Sequence, residues 1–387
     1  MAIAGLRWFV AVSLVVSLCA SFLRAQTGGL YRERFVFAGD RGHVHASSVV
    51  ETPNGSLLAV WYENGPPNAG YYFRGGDQDK SDDVRIAGAR LPHGGVAWDA
   101  PFVISDTFGL SDNNPALGID AQKRLWLVHA TLIAVPVRTW GSAILQYRVS
   151  SDYESAGAPR WDRSSILVPK PDGLDEAVAR AGGNARLDDP FARRLGWMPR
   201  VHPVALKDGA LLVPLANENF NLAAMAITRD GGETWTFSRP VPGLGVTQPS
   251  VVQLQDGRLV AFFRDATSAH RIQRSESADG GLTWSQLTAT TLPNPGSGLE
   301  AILLASGDLA MIYNDKENSP RDRLAVSISA DQGHTWRWTR HLENTPGQRF
   351  DYPSIVQGRD GSLHATYSYN LKTIKHVTFS ESWVKEK

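Results

Sequence analysis

Short apolar stretches recur along the chain, and a turn dipeptide introduces each of them. Asn54-Gly55 precedes SLLAVW, Asp208-Gly209 precedes ALLVPL, Asp256-Gly257 precedes RLVAFF, Ser306-Gly307 precedes DLAMIY and Asp360-Gly361 precedes SLHATY. Residues 120–129 (DAQKRLWLVH) supply a weaker sixth copy. Asn-Gly and Asp-Gly between apolar runs are strong hairpin signals, because both residues tolerate the positive φ that a tight turn demands. The last four of these glycines lie 48, 50 and 54 residues apart.

A second repeat interleaves with the first. Residues 228–235 (TRDGGETW), 277–284 (SADGGLTW) and 329–336 (SADQGHTW) share the form Ser/Thr-x-Asp-x-Gly-x-Thr-Trp, with tryptophans 49 and 52 residues apart. Residues 91–98 (LPHGGVAW) form a degenerate copy, with His93 in place of the aspartate. The motif describes a turn. Asp accepts backbone N–H bonds, Gly supplies φ > 0, and Trp buries a large ring against the adjoining sheet. Its aspartates are therefore read as structural.

About six units of roughly 50 residues follow, each carrying several short strands. One such unit cannot bury both faces of its sheet, whereas radial stacking buries both and leaves few open edges. The expected fold is all-β, a six-bladed β-propeller in one domain over residues 26–387, with a β-sandwich or β-helix as the alternatives. Helical character is expected only in residues 174–187 (LDEAVARAGGNARL), within an insertion at about 152–198 that would form a lid or rim.

Composition adds boundaries. Among 387 residues, Lys plus Arg and Asp plus Glu are both 39, so no polyanionic partner such as nucleic acid is indicated. Arg7, the apolar run at 8–23 (WFVAVSLVVSLCASFL) and Arg24-Ala25-Gln26 read as a secretory signal peptide, residues 1–25, cleaved near Ala25. The run is short for a full membrane span, and no second apolar stretch follows, so a secreted or periplasmic monomer is expected. Cys19 is the sole cysteine and would leave with the signal, so no disulfide is expected. No CxxC, HExxH or EF-loop pattern occurs, and no metal or cofactor is expected.

The Asp boxes, together with the strings that open the blades, resemble the sialidase (neuraminidase) superfamily over residues 41–379. That resemblance implies a pocket in which three arginines hold a sugar carboxylate, a task suited to guanidinium forks that stay charged at any working pH. Residues 247–254 (TQPSVVQL) lead through Asp256-Gly257 to Phe263-Arg264, which puts Arg264 in the second place. Arg321, ahead of the box at Ser329, takes the third, with Arg323 as its neighbour. Residues 350–356 (FDYPSIV) put Tyr352 at the family nucleophile. A phenol suits this role because a carboxylate would be repelled by the anionic sugar. It still needs a base or a cationic surround to attack.

Two positions depart from the family pattern. His45 stands where the first arginine would be, and Gln248 where the acid that activates the tyrosine would be. Asp351, Asp265, Glu218 and Glu300 are the candidate substitutes. The implied acid/base lies among Asp77, Asp79, Asp82 and Asp83, with Asp79 preferred and Asp83 next, since crowded like charges raise a carboxyl pKa. Arg200 and His202, in WMPRVHP (197–203), are expected to line the central pocket, with Arg200 supplying the cation missing at His45. Asn217, Glu218, Asn219, Asn314, Asp315 and His129 are candidates for binding sugar hydroxyls. The implied activity is an exo-glycosidase removing a terminal acidic sugar, sialic acid first. A hydrolase or lyase of another uronic or deoxy sugar, or a non-catalytic glycan-binding propeller, are the alternatives.

Overall fold

A computed structural model describes residues 29–65, 78–134, 139–180 and 185–386; the apolar N-terminal run and Asp77 lie outside them. Six antiparallel sheets follow one another along the chain. Blade one comprises Val44–Glu51, Leu57–Asn64, Val84–Leu91 and Phe102–Ser105, and blade two Ser111–Ile119, Leu125–Leu132, Ala143–Ser150 and Arg163–Leu167. Blade three is built on Leu211–Asn217, which pairs inward with the short strands Trp197–Met198 and Val204–Ala205 and outward with Leu222–Thr228, then Thr236–Phe237. Val246–Gln253, Leu259–Asp265, Arg271–Ser277 and Thr288–Pro293 form blade four, and Glu300–Leu303, Leu309–Asn314, Arg323–Ser329 and Trp338–Asn344 form blade five.

Blade six takes Phe350–Gln357, Leu363–Tyr369 and Thr373–Phe379 from the end of the chain and Tyr31–Phe35 from its beginning. Tyr31 lies opposite Phe379 and Phe35 opposite Lys375. The ring is thus closed by backbone hydrogen bonds, and the outermost edge of the last sheet is covered by the first strand. This is the six-bladed, all-β propeller that the repeats predict.

The core lies between blades. Leu212 and Ile227 of blade three pack with Val251, Leu259 and Phe263 of blade four and with Trp284 of the box that joins the third and fourth strands of that blade. The boxes bind both within and between blades. In the first, Asp230 accepts from Thr228 Oγ1 (2.9 Å), the Thr234 amide (2.9 Å) and Thr234 Oγ1 (2.5 Å). Its second glycine, Gly232, sits at φ +91°. A Cβ there would come within 2.9 Å of Trp126 in the preceding blade. Gly281 and Gly333 repeat this close approach against Leu212 and Phe262, so the repeat spacing is the blade-to-blade distance written into sequence.

The insertion begins later than expected. Arg163–Leu167 is the outer strand of blade two, so only the residues after it leave the propeller. The helix there is shorter too, Leu174–Arg180, followed by Pro190–Arg194, which Asp189 caps by accepting the Phe191 amide. The glycine pair at 182–183, unfavourable in a helix, lies outside the described residues.

Four inner strands share one irregularity. Ala46, Asn114, Gln248 and Tyr352 lie in the left-handed region at φ +55°, +48°, +51° and +47°. Each sits where the register slips by a β-bulge, between His45 and Ser48, Asn113 and Ala116, Thr247 and Ser250, and Asp351 and Ser354. Non-glycine residues held there store strain, and bulges re-aim side chains. Here the bulges mark the end of the axis at which the inner strands of blades one, two, four and six begin.

Candidate active site

Tyr352 is the point on which five blades converge. Its hydroxyl oxygen accepts from Arg264 Nη1 at 3.0 Å and from Gln248 Nε2 at 3.3 Å, both on blade four. The His45 ring of blade one packs against the phenol ring at 4.4 Å. Arg200, from the strand region opening blade three, places its guanidinium 4.7 Å from the ring centroid, and Arg321 of blade five lies 5.7 Å away. A cation against an aromatic face is attracted by the ring quadrupole. Burial raises the Tyr352 phenol, but Arg264, Arg321, the Gln248 bond and Arg200 together outweigh burial and bring it below its ordinary value. Gly298 makes the arrangement possible, since a Cβ there would fall 2.4 Å from Tyr352 Cδ1. Sequence reasoning missed Gly298, and nothing in its neighbourhood distinguishes it from a loop glycine.

The arginines are not equivalent. Arg321 donates to Asp351 Oδ1 (2.7 Å) and to the Gly296 carbonyl (2.8 Å). Asp351 also accepts from Arg349, and although its burial alone would raise it, His45, Arg321 and Arg349 hold its carboxyl below the usual range. It anchors arginines and is not placed as a base for Tyr352. Arg200 is fully buried and donates to the carbonyls of Ser47 and Pro353, each at 3.2 Å. Burial pushes its pKa down to about 10. The expectation that it replaces a substrate-binding arginine is corrected on this ground. It lies beneath the Tyr352 ring, where its charge acts on the phenol.

His202 is also redirected. Its Nδ1 faces Glu300 Oε1 at 2.5 Å and its Nε2 faces the Val49 carbonyl at 2.7 Å, so both nitrogens meet acceptors and the ring is an imidazolium. Burial would lower its pKa, but Glu300 and Val49 raise it. Glu300 also accepts the His202 and Ile355 amides. The pair ties blades one, three, five and six together on the axis, with both ring nitrogens of His202 engaged within the protein. Asp265 is likewise used in a turn, accepting from Thr267 and from the His270 amide.

His45 is buried, and its Nδ1 is 3.1 Å from Ser368 Oγ. Burial takes its pKa down to about 4, so it is neutral at ordinary pH and cannot stand in for a guanidinium. Asp79, on a short 3-10 turn spanning Gln78–Lys80, pairs with His43 and accepts from Tyr62 Oη at 2.9 Å. The elevation expected for its carboxyl is absent. Burial raises it, but the His43 bond, both imidazoles and the Tyr62 bond bring it well below the usual carboxylate range. Asp83 is buried and accepts from Asn64 Nδ2 at 3.0 Å.

Several expected sugar ligands lie elsewhere. Asp315 pairs with His341 (2.8 Å) on the outer strand of blade five. Asn314 donates to the Phe350 and Arg323 carbonyls, and Arg323 itself reaches Asn344. His129 is fully buried near Asp112 within blade two. Among the described residues, no group of three or more His, Cys, Asp or Glu side chains is placed to hold a metal ion, and no helix is long and apolar enough to cross a membrane.

Comparison with known proteins agrees with this architecture. Residues 69–365 match a family described as a BNR repeat-like domain. An anhydrosialidase of Macrobdella decora is 24% identical over 184 residues, 41% of this chain and 23% of that protein. A xyloglucanase of a Paenibacillus species is 30% identical over 174 residues, 38% of this chain and 16% of that protein. The chain therefore spans less than a quarter of the length of either curated relative. A Hadza microbial sialidase structure superposes with a TM-score of 0.70 at 16% identity, covering 91% of this chain and 69% of that one, a likeness of fold. The names of the two curated relatives point to different glycans, so the shared repeats do not identify a sugar.

Proposed function

The chain belongs to the BNR repeat-like family, as a sialidase-like propeller, and we propose that it is a secreted exo-glycosidase in which Tyr352 attacks the anomeric carbon of a terminal sugar. An α-linked sialic acid is the first substrate to test. The observation that carries this reading is the set of groups on the Tyr352 hydroxyl. That oxygen accepts from Arg264 and from Gln248, while Arg200 and Arg321 flank the ring. An ordinary phenol ionises near pH 10, about three units above neutrality, and surrounding donors and cations favour its anion. Replacement of the activating acid by Gln248 is thus compatible with attack, because the amide stabilises the phenolate instead of removing its proton. Arg264 and Arg321 are the guanidinium groups available to a substrate carboxylate.

The test is turnover of 4-methylumbelliferyl α-sialoside by the wild type and by Tyr352→Phe. The expected result is hydrolysis by the former and background rates from the latter. Full activity in Tyr352→Phe refutes the mechanism. A second reading, a glycosidase for another uronic or deoxy sugar, is favoured by one observation, the neutral His45 in place of a third carboxylate-binding arginine. A panel of aryl uronides and deoxyglycosides run beside the sialoside separates the two.

A further inference from the structure

We infer that His43 is the positioning residue of Asp79, the imidazole that holds the first-blade carboxyl in place for proton exchange with the sugar. The inference rests on the reading of Tyr352 as nucleophile and of Asp79 as acid/base.

Asp79 belongs to the connection between strands Leu57–Asn64 and Val84–Leu91, so no strand ladder fixes its side chain. Contacts from two blades hold it instead. Its backbone carbonyl accepts from Asn113 Nδ2 (2.7 Å) and Ser111 Oγ (3.1 Å), both on the inner strand of blade two. Its Oδ1 accepts from Tyr62 Oη at 2.9 Å and meets His43 Nε2. A carboxylate only accepts, so Nε2 carries the hydrogen of that contact. The backbone of His43 is pinned as well. Its carbonyl accepts the Asn64 amide (3.1 Å), and the next amide, that of Val44, donates to the Leu371 carbonyl of the blade-six hairpin (2.9 Å).

Tyr62 joins this pair to the nucleophile. It is buried, stands edge-on to His45 at 5.5 Å, and belongs with Ala46 and Val84 to the cluster against which Tyr352 packs. His43 and His45 have ring centroids 6.0 Å apart, and His45 touches Tyr352. Asp79, its two donors and the attacking phenol therefore form one packed unit. Tyr62 fills the buried cluster, so His43 is the donor that can be replaced without opening a cavity beside Tyr352.

An acid/base carboxyl must hold a proton in one step and lack it in the next. Asp79 would pass its proton to the departing oxygen as Tyr352 bonds to the anomeric carbon, and regain one from the water that releases the sugar. A donor on Oδ1 favours the ionised state and so sets the balance between the two steps. Burial would raise the Asp79 carboxyl, and the His43 bond heads the influences that bring it below the ordinary range instead. The other titratable and charged groups around the pair are His45 and Tyr62 of blade one and Asp83, which Asn64 bonds. Bearing on the two rings are Arg200 of blade three, Arg321 of blade five, and Asp351 and Tyr352 of blade six. None of these changes in the variants below.

The experiment measures His43→Ala, His43→Gln, Asp79→Asn and the double variant His43→Ala/Asp79→Asn on sialyllactose. His43→Ala is expected to lose about 10- to 100-fold in kcat/KM, a part of what a positioned acid/base contributes. In the Asp79→Asn background the same change should cost less than about twofold, because groups that act as a unit are not additive. Equal losses in both backgrounds overturn the inference. His43→Gln keeps an N–H donor and should regain about threefold or more of the loss; no recovery in a variant with wild-type urea unfolding overturns it too. The pH limb that Asp79→Asn abolishes should lie at higher pH in His43→Ala than in the wild type, and an unmoved limb counts against the bond. If no glycoside in the panel is turned over, or Asp79→Asn keeps full activity, the reading of the site fails, and NMR of the Asp79 carboxyl carbon, assigned with Asp79→Asn, decides on His43 alone. Its titration should move to higher pH in His43→Ala, and a titration that stays in place refutes the role given to His43.

Discussion

Gly298→Ala should disable the site while leaving the fold in place. A Cβ at 298 would stand 2.4 Å from Tyr352 Cδ1, 2.9 Å from Cε1 and 3.3 Å from Gln248 Oε1. Carbon atoms pack at about 3.5–4.0 Å, so the ring must retreat by roughly 1 Å or more. It has little freedom to do so. The backbone of Tyr352 is held at φ +47°, the centroid of the His45 ring lies 4.4 Å from that of the phenol ring, and the Arg200 guanidinium lies 4.7 Å from the same centroid. The movement left is a tilt that lengthens the 3.0 Å Arg264 bond to the hydroxyl. A misplacement of about 1 Å costs on the order of 100-fold in rate, and overpacking of this size costs about 1–3 kcal/mol in stability. Gly298 does not have the positive φ that would penalise alanine by itself, so the effect belongs to the contact. The assay is kcat/KM on the aryl glycoside, a spectrophotometric titration of the phenol and urea denaturation. Gly39→Ala serves as control, since a Cβ there meets nothing closer than 3.6 Å. Activity within about twofold of wild type, with an unshifted phenol titration, would show that Gly298 is not what seats the ring.

Two further outcomes concern stability. Glu300→Ala leaves the His202 imidazolium buried without its counter-ion and should cost about 3–5 kcal/mol in urea unfolding; a loss below about 1 kcal/mol would mean that His202 is neutral. His45 ties stability to pH. Its folded pKa is about 4 against an ordinary 6.5, so the unfolded chain binds the extra proton as pH falls. Stability from this group is complete above pH 6.5 and is lost between 6.5 and about 4, by up to about 3 kcal/mol. His45→Gln should flatten that slope, and an unchanged slope would assign the pH dependence elsewhere.

What was legible in the sequence follows from how far each interaction reaches. The boxes could be read because Asp230, Asp279 and Asp331 bond residues no more than four positions away. Tyr352, Arg264 and Arg321 were picked out because the strings that carry them resemble those of the sialidase superfamily, and the structure brings the three side chains together. Arg200 and His202 were misread because their bonds run to Ser47, Pro353, Glu300 and Val49, partners 98 to 153 residues away that only ring closure supplies. The bulges were illegible for a stronger reason. Asn114, Gln248 and Tyr352 each precede a proline, which ordinarily drives the residue before it to extended backbone. All three adopt φ near +50° instead, so local rules point the wrong way at the positions where strain is held. Two of these residues are the hydroxyl of Tyr352 and the amide that donates to it at 3.3 Å, so the backbone is strained on both sides of one hydrogen bond. An extended backbone at either position would turn its side chain away from the axis.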